Sequence, residues 1–235
     1  MLNERRCAVV TGSSSGIGLA IARRLLADGW HVFGFDLAPP ALSHEAFSAS
    51  AVDLRDGAAT EAATHAAMAA ADGPIDALVH AAGVLRVGPL GSLGAPEGAL
   101  MWQLHVDAVE RIANILVPAM RVVGRGRVVM IGSRVARGMA GRSQYAATKA
   151  ALVAMARSWA AEGVANGVTV NVVSPAATAT AMLDDPARTT AAPRVPPLGR
   201  LIQPQEVAAL VAYLLSPDAD AITGQDIQIC GGASL

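Results

Sequence analysis

Short apolar runs rich in valine and isoleucine alternate with longer alanine-rich segments along this chain. Most of the runs are continuously apolar rather than alternating with polar residues, which is typical of strands buried on both faces of a sheet. The runs predict seven strands, at residues 6–11, 31–36, 49–52, 77–80, 127–133, 169–174 and 227–230.

The segments between these strands carry apolar residues at helical spacing. In the first segment, Ile17, Ile21 and Leu25 recur every four residues, and Gly29 follows as a helix-terminating residue. The pattern predicts helices at residues 16–28, 56–71, 99–120, 143–163 and 205–215. Because regular alternation of strands and helices builds a parallel sheet covered on both faces, we expect a doubly wound α/β fold of about seven parallel strands.

No internal repeat or linker interrupts this order, so we expect residues 1–235 to form a single domain. Residues 181–201 depart from the pattern, since they are rich in proline and have no clear periodicity. Irregular segments of this length inside a compact domain are usually functional. We therefore expect 181–201 to be a mobile loop with a functional role within that domain.

Composition excludes several classes of protein. The chain has 235 residues, of which 53% are hydrophobic and 16% charged, so it is not a disordered chain. A chain of this length can bury a sufficient core without disulfide or metal staples. The net charge of −1 argues against a nucleic-acid partner, because nucleic-acid binders carry a basic excess.

The two cysteines, Cys7 and Cys230, are too few for a disulfide framework, and no metal-ligand spacing is present, so no metal site is expected. The N-terminal residues MLNERRCAVV lack the apolar segment of a signal peptide. The longest uncharged run, 163–183, contains asparagines and a proline and is a poor membrane span. We expect a cytoplasmic protein with no membrane partner.

A glycine-rich turn, TGSSSGIG at residues 11–18, joins the first strand to the first helix. Its glycines Gly12, Gly16 and Gly18 let the backbone approach a pyrophosphate, and the helix N-terminus offers free N–H groups and a positive dipole end. The spacing is G-x-x-x-G-x-G, not the common G-x-G-x-x-G. In this context the turn favours dinucleotide binding, and a structural Gly/Ser turn is the alternative.

Several segments together resemble the short-chain dehydrogenase/reductase family. TGSSSGIG is similar to the family's cofactor loop, AAG at 81–83 to the end of its fourth-strand signature, and YAATK at 145–149 to its YxxxK active site. NVVSPAATAT at 171–180, PLGRLIQPQEVA and ITGQDIQICGG are similar to its later signatures. The resemblance covers nearly the whole chain. It implies a Rossmann-type fold, a nicotinamide cofactor and a homotetramer built partly from the long helices that begin near Ala99 and Ser143.

Tyr145 and Lys149 stand four residues apart in a helical segment and therefore share one face. A nearby ammonium stabilises a phenolate by about 4 kcal/mol at about 4 Å, which would lower a tyrosine pKa by about three units, to near neutrality. Lys149 is the single lysine among 18 basic residues, which indicates that arginine does not serve at this position. We expect Tyr145 to be the acid/base and Lys149 to activate it and bind ribose. A surface pair with no role is the alternative.

Ser133 ends the fifth predicted strand, at the edge where open α/β sheets bind ligands. The resemblance implies that its hydroxyl holds the substrate oxygen. Ser133 lies 12 residues before Tyr145, one fewer than the family pattern, and Ser143 is a weaker candidate.

Two family asparagines are replaced by histidines. Counting thirteen residues back from Pro118 places His105 where the family has the asparagine of its proton relay, and an imidazole can also hold a water or pass a proton. Packing alone is the alternative for His105. His80 replaces the first asparagine of the fourth-strand signature, and we expect it to make a structural hydrogen bond beside the cofactor.

The cofactor is expected to be NAD. Asp36 ends the second strand, about 20 residues after the glycine turn, where a carboxylate accepts hydrogen bonds from both adenosine ribose hydroxyls and disfavours a 2′-phosphate. Neither Ser15 nor Leu37 supplies a cation for that phosphate. Asp53 is similar to the residue that holds the adenine amino group, and Thr180 to the one that binds the carboxamide. The complete set of expected cofactor-binding residues is Gly12, Ser14, Ser15, Gly16, Ile17, Gly18, Asp36, Leu37, Asp53, Leu54, His80, Ala82, Gly83, Tyr145, Lys149, Pro175, Thr178 and Thr180.

The sequence thus predicts an oxidoreductase that interconverts a secondary alcohol and a ketone. The substrate is left open, between 3-oxoacyl thioesters and cyclic dihydrodiols among others. We expect the mobile 181–201 loop to cover the substrate. An apolar substrate that carries an anionic group is compatible with four residues of this loop, Met182, Leu183, Arg188 and Arg194. A catalytically silent NAD-binding sensor or assembly protein is the alternative from a different class.

Overall fold

The computed structural model describes residues 5–183 and 194–235. Within them, seven strands form one all-parallel sheet in the order β3-β2-β1-β4-β5-β6-β7. The strands are β1 (Cys7–Thr11), β2 (His31–Asp36), β3 (Phe47–Ala51), β4 (Ile75–His80), β5 (Gly126–Ile131), β6 (Val168–Pro175) and β7 (Asp226–Ile229). The predicted doubly wound α/β fold is confirmed.

In the described part of the chain, six α-helices connect these strands: α1 (Gly16–Ala27), α2 (Gly57–Ala70), α3 (Ala95–Trp102), α4 (Ala108–Val123), α5 (Ser143–Gly163) and α6 (Pro204–Leu214). A π-helical segment, Gln103–Asp107, joins α3 to α4. Short 3-10 turns follow β5 at Arg134–Arg137 and β6 at Ala181–Leu183.

Alternate residues of each strand face opposite sides of the sheet and build two separate cores. On one side, Val9, Leu78 and Val128 pack with the apolar faces of α2, α4 and α5. On the other side, Val10 and Val79 pack with α1 and α6. Burial on both faces explains why the strands are continuously apolar.

Most elements differ from their predicted bounds by one or two residues, as β5 does in ending at Ile131 rather than at Ser133. Two differences have a clear physical cause. The third strand was expected at 49–52 and lies at Phe47–Ala51, because pairing with β2 sets its register, with Phe47 opposite Val32. The long helix expected at 99–120 begins earlier, at Ala95, where Gly94 is the N-cap, a proline lies in the first turn and Glu97 complements the helix dipole. It is also interrupted by the π segment.

The expected 181–201 loop is described only at its two ends. Its first residues form the Ala181–Leu183 turn, and in its last part the Leu198 N–H donates to the carbonyl of Gly231 at 3.0 Å. Arg188, named above as a candidate for substrate contact, lies outside the described residues.

The strand order reverses between β1 and β4, since β2 and β3 lie on one side of that pair and β5 to β7 on the other. The loops after β1 and β4 leave the sheet in opposite directions at this point and open a crevice at its carboxyl edge. The glycine turn and residues 81–83 lie on the two sides of that crevice.

Candidate active site

A cavity of about 910 Å³ opens at this carboxyl edge. The residues expected from the sequence to form the site line it, with the exceptions of Ser14 and His80. Segments far apart in the chain therefore meet there: the turn after β1, the ends of β2 and β4 to β6, the π segment and the start of α5.

The glycine turn fits closely into the wall of this cavity. Gly12 has a φ of +68°, and a Cβ on it would lie 2.9 Å from the backbone of Ala82. A Cβ on Gly18 would lie 2.1 Å from the carbonyl oxygen of Gly12. The N-cap residue of α1, Ser15, makes no side-chain capping bond. No side-chain cap of Ser15 covers the first N–H groups of α1, and such groups at a close-packed glycine turn are able to bind a pyrophosphate.

The Asp36 carboxylate is fixed by backbone groups at the next position along the edge. One of its oxygens accepts from the Ser14 N–H at 2.9 Å and the other from the Ala38 N–H at 2.9 Å. Ser14 therefore acts from behind the cavity wall, where its N–H orients Asp36. Leu37, beside it, is 68% exposed and offers an apolar surface.

Asp53 lines the cavity together with Arg55, which the sequence analysis did not single out. The Arg55 guanidinium donates to both carboxylate oxygens of Asp53, at 2.6–3.1 Å. Hydrogen bonding to Arg55 lowers the pKa of Asp53. The only signal in the sequence was the spacing of two residues between an acid and a base, which is too common to be informative.

Lys149 is buried in the opposite wall, with 4% of its surface exposed. Its Nζ donates to the backbone carbonyl of Ile131 at 2.8 Å and lies 5.8 Å from the centre of the Tyr145 ring. Burial lowers the pKa of Lys149 to about 7. From the sequence, the Lys149 ammonium was expected to be fully charged at neutral pH. In the structure, burial lowers its pKa so far that it gains or loses its proton near neutral pH.

Ser133 follows β5 and is 8% exposed. Its Oγ accepts a hydrogen bond from the Val135 N–H at 3.2 Å, which caps the Arg134–Arg137 turn. This bond uses a lone pair of the hydroxyl, so the hydroxyl hydrogen can still be donated to an oxygen in the cavity. Ser133 and Tyr145 both line the same cavity as Lys149.

His105 lies in the π segment and is completely buried. Its Nε2 accepts from the Val84 N–H at 3.0 Å, and its ring meets the Tyr145 ring edge-on, with centroids 5.6 Å apart. Burial, followed by the charge of Lys149, holds the pKa of His105 well below its usual value. A neutral imidazole is thus packed directly against the tyrosine.

His80 does not line the cavity, although the sequence analysis placed it among the cofactor-binding residues. Its ring is 1% exposed, and Nδ1 lies 2.9 Å from Oγ1 of Thr11. That oxygen accepts the N–H groups of Ala81 and Ala82 at 3.1 Å. His80 therefore supports the cavity wall from behind, and burial lowers its pKa to about 3.

The loop after β6 closes the far end of the cavity with Pro175, Thr178 and Thr180. A Cβ on Gly16 would come within 3.2 Å of the Thr180 methyl carbon, so this loop packs on the glycine turn. The loop is held in place by Ile202, whose N–H donates to the carbonyl of Ala177 at 3.0 Å.

Four arginines of the cavity wall went unnoticed in the sequence. Arg55 is described above, and the others are Arg86, Arg134 and Arg142. Arg86 follows β4, Arg134 opens the 3-10 turn after β5 and Arg142 directly precedes α5. Their spacing is irregular, so no pattern in the sequence distinguishes them from solvated arginines.

Among the described residues, no group of three or more His, Cys, Asp or Glu side chains is placed to hold a metal ion. Over the same residues, no helix is long and apolar enough to cross a membrane.

The sequence of this chain is similar to those of known proteins over nearly its whole length. The family model described as enoyl-(acyl carrier protein) reductase matches residues 12–234. The 3-oxoacyl-[acyl-carrier-protein] reductase FabG of Vibrio cholerae is 34% identical over 97% of this chain and 97% of its own.

Two solved structures are similar over nearly their whole length. A ketoreductase of actinorhodin polyketide synthesis, with NADPH, has a TM-score of 0.87 at 30% identity and covers 98% of this chain and 97% of its own. The 3-ketoacyl-(acyl-carrier-protein) reductase of Brucella melitensis, with NADH, has a TM-score of 0.89 at 26% identity and covers 99% of both chains.

The cavity and the turn that lines it fit a nicotinamide dinucleotide, the type of cofactor held by both similar structures. The similarity to proteins that act on keto groups extends over nearly the whole chain. The chain belongs to the short-chain dehydrogenase/reductase family and is an oxidoreductase that acts on CH–OH or keto groups.

Proposed function

We propose that this enzyme interconverts a secondary alcohol and a ketone with NAD(H), and that Tyr145 is its acid/base. The observation that carries the proposal is the burial of Lys149, the single lysine of the chain, in the cavity wall beside the Tyr145 ring. Burying an ammonium is costly, and such a cost is usual at functional sites.

Each of these residues has a distinct chemical role in the proposal. Tyr145 gives a proton to the ketone oxygen or removes one from the alcohol, and Lys149 stabilises the phenolate that this leaves. The Ser133 hydroxyl donates to the same oxygen as negative charge develops on it. The bound nicotinamide supplies or accepts the hydride.

The preference for NAD rests on Asp36. Its carboxylate lines the cavity and is held by two backbone N–H groups, so it cannot turn away from an approaching 2′-phosphate. The nearby cation that could receive that phosphate is Arg55, and it is engaged by Asp53. In the proposal Asp53 contacts the adenine, and its pairing with Arg55 keeps it ionised.

The test is a panel of secondary alcohols and ketones with NAD(H), followed at 340 nm. We expect turnover by the wild type and a loss of at least about a hundredfold in Tyr145→Phe with NADH binding retained, since general acid/base catalysis contributes about 10²–10⁴-fold. Tyr213→Phe is the matched control, because Tyr213 is an exposed residue of α6. Retention of more than about a tenth of the activity in Tyr145→Phe would contradict the assignment. An unreactive protein that binds NADH would favour the sensor alternative.

Reduction of 3-oxoacyl thioesters is a second candidate, favoured by the similarity to FabG. In this version Met182 and Leu183, which line the cavity, contact the acyl chain. The panel therefore includes a 3-oxoacyl thioester.

We also propose a homotetramer and a reducing, cytoplasmic environment. An apolar groove between α4 and α5, lined by residues that include Val117, Val122 and Trp159, supports a contact between subunits. Cys7 and Cys230 are both free thiols, as expected in a reducing compartment. Light scattering coupled to gel filtration tests the assembly, and a monomer at micromolar concentration would refute it.

A further inference from the structure

The two ends of the cavity differ in charge. At the adenosine end, the carboxylates Asp36 and Asp53 stand with Arg55. At the end beyond Tyr145, the charged residues that line the wall are Lys149, Arg86, Arg134, Arg142 and Arg194. No carboxylate of the described residues lines that end, and the acidic residues Asp184 and Asp185 lie outside the description.

Arg134 holds a special position among these cations, because it directly follows Ser133 at the end of β5. The turn that contains it is fixed by the bond from the Val135 N–H to Ser133 Oγ. Its guanidinium donates to the carbonyl of Ala233 at 3.0 Å, and that is the acceptor it finds within the described chain. Since a guanidinium has five N–H donors, Arg134 is anchored by one side and can offer others to the cavity.

Arg142 and Arg86 are brought to the same wall by a second link. The Gly88 N–H donates to the carbonyl of Gly141 at 3.0 Å, and Gly88 and Arg142 form a parallel bridge. The segment after β4 and the segment before α5 are thus tied together beside Tyr145. Both arginines are half-buried and line the cavity.

From this arrangement we infer that the substrate carries a carboxylate close to its reacting carbon, and that Arg134 binds it. The inference rests on the proposed function and specifies its substrate class as hydroxy acids and oxo acids. Arginine suits this task because its planar fork matches a carboxylate and donates two parallel hydrogen bonds.

The test compares short 3-oxo acids with their own methyl esters, using NADH and the wild-type enzyme. We expect the acid to be preferred at least about tenfold in kcat/KM, mostly through KM, because a hydrogen-bonded charge is replaced by a neutral group. The preference is expected to shrink as KCl rises from 0.05 to 0.5 M, since salt screens the cationic wall.

Arg134→Gln is the decisive variant and Arg137→Gln its matched control. Arg137 stands in the same 3-10 turn, is exposed and does not line the cavity. In Arg134→Gln we expect the kcat/KM values of acid and ester to lie within about threefold of each other, with activity on the ester kept. Arg134→Lys is expected to recover part of the preference for the acid. Arg137→Gln is expected to leave kcat/KM for both substrates unchanged. Because the result is read as the ratio of acid to ester, a partial loss of folded enzyme, which scales both activities equally, does not imitate the expected change.

Each other outcome has a defined meaning. If the ester is used as well as the acid, or if Arg134→Gln leaves their ratio unchanged, the inference is wrong and the oxidoreductase assignment stands. The enzyme could instead prefer a 3-oxoacyl-CoA over its N-acetylcysteamine analogue and show no preference for the free acid over its ester. This result would mean that the cations bind a distant phosphate, and it would also overturn the inference. If neither substrate reacts and NADH does not bind, the proposed function itself fails.

A binding measurement covers the remaining case, in which NADH binds but no 3-oxo compound reacts. Hexanoate and methyl hexanoate are titrated into the enzyme–NADH complex, followed by NADH fluorescence. Tighter binding of hexanoate by at least about tenfold, lost in Arg134→Gln and kept in Arg137→Gln, supports the carboxylate site. Equal binding or no binding of the two compounds overturns it.

Discussion

Nδ1 of His105 lies 2.8 Å from Oγ1 of Thr148, inside the wall behind Tyr145. Because the Val84 N–H donates to Nε2 of the same ring, the proton of the neutral imidazole is on Nδ1 and is donated to Thr148. The Thr148 hydroxyl in turn donates to the backbone carbonyl of Tyr145 at 2.9 Å. Both nitrogens of His105 are therefore engaged, and the ring connects the loop after β4 to the helix that carries Tyr145 and Lys149.

We infer from this linkage that His105 is a positioning residue, which holds the helix that carries Tyr145 and Lys149 against the loop after β4. His105→Asn retains an acceptor for the Val84 N–H, so we expect at least about a third of the wild-type kcat and an unchanged pH profile. His105→Leu leaves that N–H unpaired, and we expect a loss of about tenfold or more in kcat with a displaced profile. The measurement is kcat between pH 6 and 10. Wild-type behaviour of the leucine variant would show that the ring only fills space.

The buried His80 predicts a loss of stability in acid. Its pKa is about 3 in the folded protein and near 6.5 in the unfolded chain, so between these values the unfolded state binds one more proton. Stability therefore falls as pH drops below 6.5, by up to about 1.4 kcal/mol per pH unit from this group.

Urea unfolding at pH 4.5, 5.5 and 6.5 measures this effect. We expect His80→Asn to reduce the dependence of stability on pH without abolishing it, because the buried His105 acts in the same direction. His65→Asn, at an exposed position of α2, is expected to leave the dependence unchanged. Parallel curves for His80→Asn and the wild type would refute the prediction.

The buried Lys149 predicts a second dependence of stability on pH, between about pH 7 and 10.5. Its pKa is about 7 in the folded state against 10.5 when unfolded, so the unfolded chain binds more protons across that window and stability rises with pH. Lys149→Met removes the buried amine. We expect this variant to be inactive, to be more stable than the wild type at pH 7, and to lose that advantage by pH 10. An advantage that does not change with pH would contradict the burial argument.

The cofactor preference is tested by kcat/KM with NAD and NADP. We expect at least about a tenfold preference for NAD, which corresponds to 1.4 kcal/mol. The double variant Asp36→Ala, Leu37→Arg loses the carboxylate and gains a cation. We expect its preference for NAD over NADP to narrow or reverse. Leu37→Ala alone is the control and retains it. Better use of NADP by the wild type would refute the role of Asp36.

The glycine turn predicts a steric effect on folding and binding. A Cβ at Gly18 would lie 2.1 Å from the carbonyl oxygen of Gly12, so Gly18→Ala must displace backbone. We expect a fall in Tm of several degrees and at least about tenfold weaker NADH binding. At Gly57 the added Cβ would approach the flexible side chain of Arg111, and Gly57→Ala serves as the control. Equal behaviour of the two variants would show that the turn can relax.

The sequence by itself was sufficient for the architecture and for the position of the site. Strand and helix periods are local properties, and strands buried on both faces must be apolar, so the order of elements was readable. The glycine turn and the Tyr145–Lys149 pair were also readable, because each lies within one short segment whose spacing carries its chemistry.

Properties that depend on distant segments were decided only in the tertiary structure. Arg134 and Arg55 were indistinguishable from solvated arginines until packing placed them in one cavity, and His80 lies behind the wall because Thr11 stands between it and Ala82. The titration of Lys149 near neutrality follows from burial under the end of β5. Charge, burial and side-chain direction arise from neighbours in space, and one local pattern in sequence is compatible with many such neighbourhoods.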